Sequence, residues 1–319
     1  MLEDKKKLRI LFMGTPDFSA KILTALLDAD YDIIGVFTQS DKKVGRKQVI
    51  EKSPVKIIAE KNNLLVFTPH RFGSEIINDI NGLQPDLIIL VAYGKILPKE
   101  VLTAPRLGAV NIHPSLLPKF RGPSPIQNTL LSGDEMTGST IMMMDASVDT
   151  GDILRQKEIA VTSNETYVEL ADKLADFSAN LLLETLDDFL AGDIVPQKQD
   201  DALASYCKMI KKADGQINWQ NSAETIYNKY RAFFAWPGIF TSLDIGGQSK
   251  RLKLNEICVA NINPNTCQPG EVFQSDDNIY VQTSDGAIRL KEVQLEGKPS
   301  MNVLDFANGH KNFIGSILA

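Results

Sequence analysis

No stretch of this 319-residue chain approaches the roughly 18 consecutive apolar residues that a membrane-spanning helix needs. The opening, MLEDKKKLRI, passes straight into a strand-like run, without the apolar core and small-residue cleavage site of a secretory leader. Cysteine is scarce and scattered: Cys207, Cys258 and Cys267 are odd in number and not at metal-ligand spacing. A disulfide framework is therefore excluded, and a reducing cytoplasm is the expected compartment. Histidine is as rare (His70, His113 and His310), and no His/Cys/carboxylate set has ligand spacing, so the expected chemistry uses no metal. The first strand-to-helix turn, MGTPDF, lacks the G-x-G-x-x-G of a dinucleotide site, which removes the reason to expect nicotinamide or flavin. Net positive charge is missing too. At a formal −6 the chain is unsuited to coating nucleic acid non-specifically, although a local patch can still grip it at one place.

What is present is an ordinary globular composition, 43% hydrophobic and 23% charged, in a length sufficient for two domains. The first half alternates near-continuous apolar runs (LRILFMG, DIIGVFT, LLVFTP, PDLIILVAYG, GAVNIHP) with helix-like segments such as SAKILTALLDAD. Such runs imply a parallel sheet covered on both faces, an α/β Rossmann-like doubly wound domain with ligands at the carboxyl ends of its strands. Ser53 followed by Pro54 reads as a capped helix start. The run of Met142, Met143 and Met144 reads as strand core, and 164–192 as a long amphipathic helix. Residues 193–211 show no strong periodicity and read as a linker. From 212 to 319 a short helix precedes short strands broken by Gly, Pro and Asn, the pattern of a small antiparallel, OB-like β-barrel. The expected organisation is thus a catalytic domain over 1–192, a linker over 193–211 and a barrel over 212–319. Trp236-Pro237, after Phe233-Phe234-Ala235, reads as an aromatic cluster between helix and barrel.

Chemistry concentrates at NIHPSLLPKFRG, residues 111–122. In a strand, residues i and i+2 share a face, so Asn111 and His113 can converge on one small group. A carboxamide can hold a developing oxyanion, and an imidazole with an unperturbed pKa of roughly 6.5 can move a proton at neutral pH. A strand end whose side chains are merely satisfied also contains such a pair. Val148-Asp149-Thr150-Gly151-Asp152 reads equally as a turn chosen for backbone reasons or as the source of a third member, Asp149, that orients the imidazole. Residues 42–56 carry six basic side chains (Lys42, Lys43, Arg46, Lys47, Lys52, Lys56) against Glu51 alone, which is either a solvated loop or a binding patch.

The run NIHPSLLPKFRGPSPIQ, with VDTGD downstream, resembles the signature of the folate-dependent formyltransferases. LFMGTPDFS, VAYGKILP at 91–98 and RAFFAWPG at 231–238 are similar to the branch that acts on a charged tRNA, and the likeness runs from about Leu8 to the last strands. The resemblance implies formyl transfer from 10-formyltetrahydrofolate, as co-substrate, to the amino group of initiator methionyl-tRNA in translation initiation. It implies Asn111, His113 and Asp149 as catalytic residues, and a folate site from Ser115, Leu116, Leu117 and Pro118 with Val91, Ala92, Tyr93 and Gly94. It also implies tRNA contacts at Arg46, Lys42, Lys43 and Lys47, a barrel that aids tRNA binding, and a monomer away from membranes. The sugar-amine formyltransferases share N-x-H and S-L-L-P and are the alternative; they would not need the basic loop.

Overall fold

Apolar residues run so nearly unbroken through the strands of the first half of the chain that these strands must be covered on both sides, and the computed structural model shows how. It describes residues 7–44, 48–262 and 267–319. Chain order begins β1 (Arg9–Gly14), α1 (Asp17–Asp28), β2 (Asp32–Phe37), a hairpin of β3 (Lys42–Val44) and β4 (Val49–Glu51), α2 (Pro54–Lys61), β5 (Val66–Phe67) and α3 (Ser74–Leu83). It continues with β6 (Leu87–Val91), α4 (Lys99–Leu102), β7 (Ala109–His113), α5 (Pro125–Ser132), β8 (Met136–Met143), β9 (Ile153–Ala160) and α6 (Tyr167–Ala191). Seven strands form one sheet in the order β5-β2-β1-β6-β7-β8-β9. The first five run parallel, and β8 and β9 add antiparallel to that edge. Strand order reverses direction between β1 and β6, so the crevice at the carboxyl ends of β1, β6 and β7 is where ligands are expected.

The two faces of the sheet build two cores. Ile10, Phe12, Leu87, Ile89 and Val91 pack with Ile22 and Leu26 of α1, Val55 of α2 and Leu182 and Leu186 of α6. Their alternates, Leu11, Met13, Ile88 and Leu90, pack with Ile80 of α3, Val101 of α4 and Tyr93. Residues offset by one along a strand point to opposite faces, so one sequence feeds both cores. In β7, Val110 and Ile112 enter the first core, which turns Asn111 and His113 to the other face. Helix α2 starts as expected: the Ser53 hydroxyl accepts the Lys56 N–H at 3.1 Å, with Pro54 at the first helical position.

By contact the chain divides into two units. One takes the described residues up to Pro125 together with Met136–Val161 and Leu170–Cys207; the other takes Ile126–Glu135, Thr162–Glu169 and Lys208–Ala319. The second unit contains α7 (Ala223–Phe233), β10 (Ile239–Ile245), β11 (Gln248–Ala260), β12 (Val272–Ser275), β13 (Asn278–Gln282), β14 (Ala287–Leu295), β15 (Met301–Asn302) and α8 (Val303–Gly309). Its antiparallel sheet runs β10-β11-β14-β13-β12, with β15 on β14. Residues 316–319 bond to both outer strands: Ala319 exchanges two backbone hydrogen bonds with Ser242 of β10, while the Leu318 N–H reaches Gly270 O and the Val272 N–H of β12 reaches Ser316 O. The curled sheet is thereby stitched toward a barrel. Arg231, 4% exposed, explains how Thr162–Glu169 joins this unit: its guanidinium donates to the carbonyls of Thr162 and Glu165 and to Asn228 Oδ1. Trp236 departs from expectation. Phe233 is buried, but Trp236 is 55% exposed, because the turn after α7 carries it out to solvent. Among the described residues, no helix is long and apolar enough to cross a membrane.

Candidate active site

At the carboxyl end of β7, Asn111 and His113 stand 6% and 4% exposed on one face of the strand, as the i, i+2 spacing requires. The turn after β8 brings Asp149 to them. Asn111 Nδ2 lies 3.4 Å from Asp149 Oδ1, and His113 Nδ1 lies 3.6 Å from Asp149 Oδ2. That same Oδ2 accepts the Gly122 N–H at 2.8 Å, so a backbone donor fixes the carboxylate between the two side chains.

The other imidazole nitrogen settles the tautomer. His113 Nε2 is 3.0 Å from the Phe120 carbonyl, and a carbonyl can only accept. Nε2 therefore carries the hydrogen, and in the neutral ring Nδ1 keeps the lone pair that faces Asp149. Burial pushes the His113 pKa below its ordinary 6.5; the Asp149 charge and the Phe120 carbonyl oppose that without cancelling it. The resting ring is neutral near pH 7, with Nδ1 ready to take a proton that the carboxylate would then stabilise.

The loop that follows is held from several sides. Thr140 Oγ1 accepts the Leu117 N–H at 3.1 Å and donates to Ser115 O at 2.6 Å, and Gln156 Nε2 donates to both Thr140 Oγ1 and Leu117 O. Ser115 Oγ donates to Lys119 O. Of the S-L-L-P residues, the Leu117 side chain is buried in the domain, while Leu116 and Pro118 are half-buried. Beyond β6, Ala92 adopts a φ of 44° and presents itself to solvent beside Gly94, whereas Val91 and Tyr93 turn inward. The carbonyl of Val91 accepts from the Ser19 hydroxyl, that of Tyr93 from Thr15 and Gln39, and that of Gly94 from Gln39. The exposed backbone of Ala92 and Gly94 is thus held in shape from behind.

Within the stretch 193–211, which reads as a linker, residues 197–207 contribute contacts that the sequence does not announce. This segment lies along the 118–124 loop through an Arg121–Tyr206 bridge, and Phe120 N–H donates to Ser205 Oγ. Arg121, 1% exposed, donates to Gln199, Tyr206 and Asp201. The buried Cys207 Sγ accepts the Ser124 N–H, and burial pushes the thiol pKa up. The only sequence signal was polar: Gln199, Asp201, Ser205 and Tyr206 lie close together in a stretch without apolar periodicity.

The basic stretch is not a bare loop. Lys42 and Lys43 form β3, exposed and paired with Glu51 and Ile50 of β4, while Lys56 bonds Asp41. Arg46 and Lys47 lie outside the described residues. His70 is exposed, and His310, in the second unit, stacks on Phe306 at 4.1 Å. Among the described residues no group of three His, Cys or carboxylate side chains could hold a metal.

Two family models match the chain, one described as formyl transferase over residues 6–186 and one as formyl transferase, C-terminal domain, over residues 209–311. A methionyl-tRNA formyltransferase of Caldicellulosiruptor saccharolyticus is 45% identical, across 97% of this chain and 99% of its own. One from Geobacter metallireducens is 42% identical, across 95% and 96%. Among solved structures, HypX from Aquifex aeolicus in complex with tetrahydrofolic acid superposes with a TM-score of 0.64 at 18% identity, over 96% of this chain and 48% of that one. An N-formyltransferase from Helicobacter canadensis, in complex with folinic acid and dTDP-3-aminofucose, does so at 0.65 and 18%, over 88% and 98%. At such identities the structures speak for the fold alone.

Proposed function

The chain belongs to the formyl transferase family, and from that membership we propose that it moves a formyl group from 10-formyltetrahydrofolate to the amino group of the methionyl residue on initiator methionyl-tRNA. The observation that carries this reading is the full-length identity of 39–45% to relatives named for that reaction, with Asn111, His113 and Asp149 converging in one place.

The methionyl nitrogen attacks the formyl carbon, and the carbonyl oxygen becomes an oxyanion. One N–H of Asn111 leans on Asp149, and the other donates to the oxyanion, where such a donor is worth about 10²–10³ in kcat. His113 Nδ1 takes the proton released by the amine and returns it to N10 of the folate as the N10–carbon bond breaks. Asp149 stabilises the imidazolium in between. Protons balance: the amine loses one and the leaving nitrogen gains one. The pterin end takes the exposed Ala92 and Gly94 beyond Val91 and Tyr93, and the half-buried Leu116 and Pro118 supply an apolar edge that the buried Ser115 and Leu117 hold in place. Lys42 and Lys43 of the hairpin, with Arg46 and Lys47, meet the tRNA phosphates.

The test is formyl transfer from 10-formyltetrahydrofolate to charged initiator tRNA, run beside amino-sugar nucleotides. Turnover on the tRNA alone supports the reading; turnover on the sugars alone overturns it.

A further inference from the structure

We propose that Gln199 is a positioning residue: its carboxamide ties the turn carrying Asp149 to the loop carrying Gly122, and so sets the carboxylate against His113. This rests on the catalytic reading of those residues given above.

The geometry is fully committed. Gln199 Nε2 has two hydrogens, and both are used, to Asp149 O at 2.9 Å and Gly151 O at 2.8 Å. Its Oε1 accepts from Arg121 Nε at 3.0 Å. Reversing the amide would set an oxygen against two carbonyls and an NH₂ against a guanidinium, so only one orientation is possible. Arg121 is anchored in turn by Tyr206 Oη and Asp201 Oδ1.

Both loops need this brace, because each is pressed against backbone and held in an uncommon conformation. A Cβ at Gly151 would stand 1.8 Å from Met143 O, and one at Gly122 2.4 Å from Cys207 O. Asp149 itself has a φ of 54° and Gly122 one of 117°. Asp145 shapes the turn from its outer side by accepting from Ser147 N and Thr150 Oγ1, and Gln199 holds it by its carbonyls. A shift of either loop opens the 2.8 Å bond from Gly122 to Asp149 and changes the 3.6 Å approach of the carboxylate to His113.

The readout is the titration of His113. Asp149 is the charged group that faces its Nδ1, and the Phe120 carbonyl accepts from its Nε2. With only three histidines, the ring signals can be followed by NMR in the full chain without any substrate, and a His113→Ala spectrum assigns the one at issue. Failure of the acceptor assignment would leave this measurement untouched. Gln199→Met keeps the length and removes the fork; Gln199→Glu keeps the bond to Arg121 but turns an oxygen toward the two carbonyls.

In Gln199→Met the His113 midpoint is expected to fall while those of His70 and His310 stay. The carboxylate that Gln199→Glu adds opposes that fall, so this second variant is read by its kcat. The kcat should drop roughly 10–10²-fold, the scale for about 1 Å of misplacement, with KM for the folate donor little changed. In the wild-type protein the Gln199 carboxamide hydrogens should exchange slowly with solvent. An unmoved His113 midpoint in folded Gln199→Met overturns the proposal, and so does a loss confined to KM in either variant. Wild-type exchange at the free-amide rate overturns it even if neither variant folds.

Discussion

Replacing Asp149 by Asn removes one charge and, at the former Oδ1, the acceptor of the long 3.4 Å contact from Asn111 Nδ2. The substitution keeps the side-chain length, keeps an oxygen for the Gly122 N–H, and suits a φ of 54°, which Asn tolerates better than most residues. What disappears with the charge is the attraction between the carboxylate and a protonated His113. At 3.6 Å two unit charges attract by about 1 kcal/mol in bulk water and about 5 kcal/mol at an effective dielectric constant of ~20. The two side chains are only 5% and 16% exposed, which places the pair toward the second figure. At about 1.4 kcal/mol per pKa unit, and within the range known for a neighbouring opposite charge, the loss is worth about 1–3 units. The sign is fixed by which form is charged. Burial already lowers the His113 pKa and Asp149 raises it, so the variant's imidazole must titrate lower still. The acidic limb of kcat/KM for formyl transfer should therefore move down by ~1–3 units, while the plateau falls by about 10- to 10³-fold as the imidazolium loses its partner. The profile is measured by formyl-tRNA yield from pH 4.5 to 8, beside an NMR titration of the free protein. An acidic limb that stays or moves upward, in a folded variant, refutes the proposed electrostatic role.

Three further outcomes are expected. Gly122→Ala places a Cβ 2.4 Å from Cys207 O at a φ of 117°, which should cost about 1–3 kcal/mol in urea unfolding and lower kcat by disturbing the bond to Asp149; an unchanged midpoint and rate would contradict it. Thr140→Val strips the buried hydroxyl that serves Leu117 N and Ser115 O, at about 1–3 kcal/mol for each group left unpaired, and KM for the folate donor should rise more than kcat falls. Neutralising Lys42 and Lys43 should raise KM for charged tRNA and flatten the log–log salt dependence of binding by about 0.9 for each lost phosphate contact on duplex; an unchanged slope would make the hairpin a mere solvated connection.

What could be read from the sequence depended on whether burial wrote a pattern into it. Leu87–Val91 is apolar on both faces because both faces of β6 are covered, and such a run reads as a central parallel strand without further help. The pairing of Asn111 with His113 follows from the two-residue period of β7. Asp149 does not, since it arrives from a turn 36 residues beyond His113, and only the family resemblance pointed to it. The hairpin of β3 and β4 was invisible, because three-residue strands of KKV and VIE show no alternation. Residues 193–211 read as a linker for a similar reason, and 197–207 lie within them. They attach through backbone bridges and through Gln199, Asp201, Ser205 and Tyr206, whose partners lie some 50 to 85 residues away. Polar contacts at that range leave no periodic trace.

The stitching of β10 and β12 by residues 316–319 has a consequence for how this protein behaves in company. An open antiparallel sheet ends in two rows of unpaired N–H and C=O groups, and each row will accept any extended chain that drifts against it. In the second unit one short segment bonds to both rows, at Ser242 on one side and at Gly270 and Val272 on the other. Clipping those few residues would free Ser242 on one border and Gly270 and the Val272 N–H on the other, while Phe240 of β10 keeps its bond from Ile217 N. Copies of the protein could then add strand to strand, and a loss of four residues would be felt as aggregation.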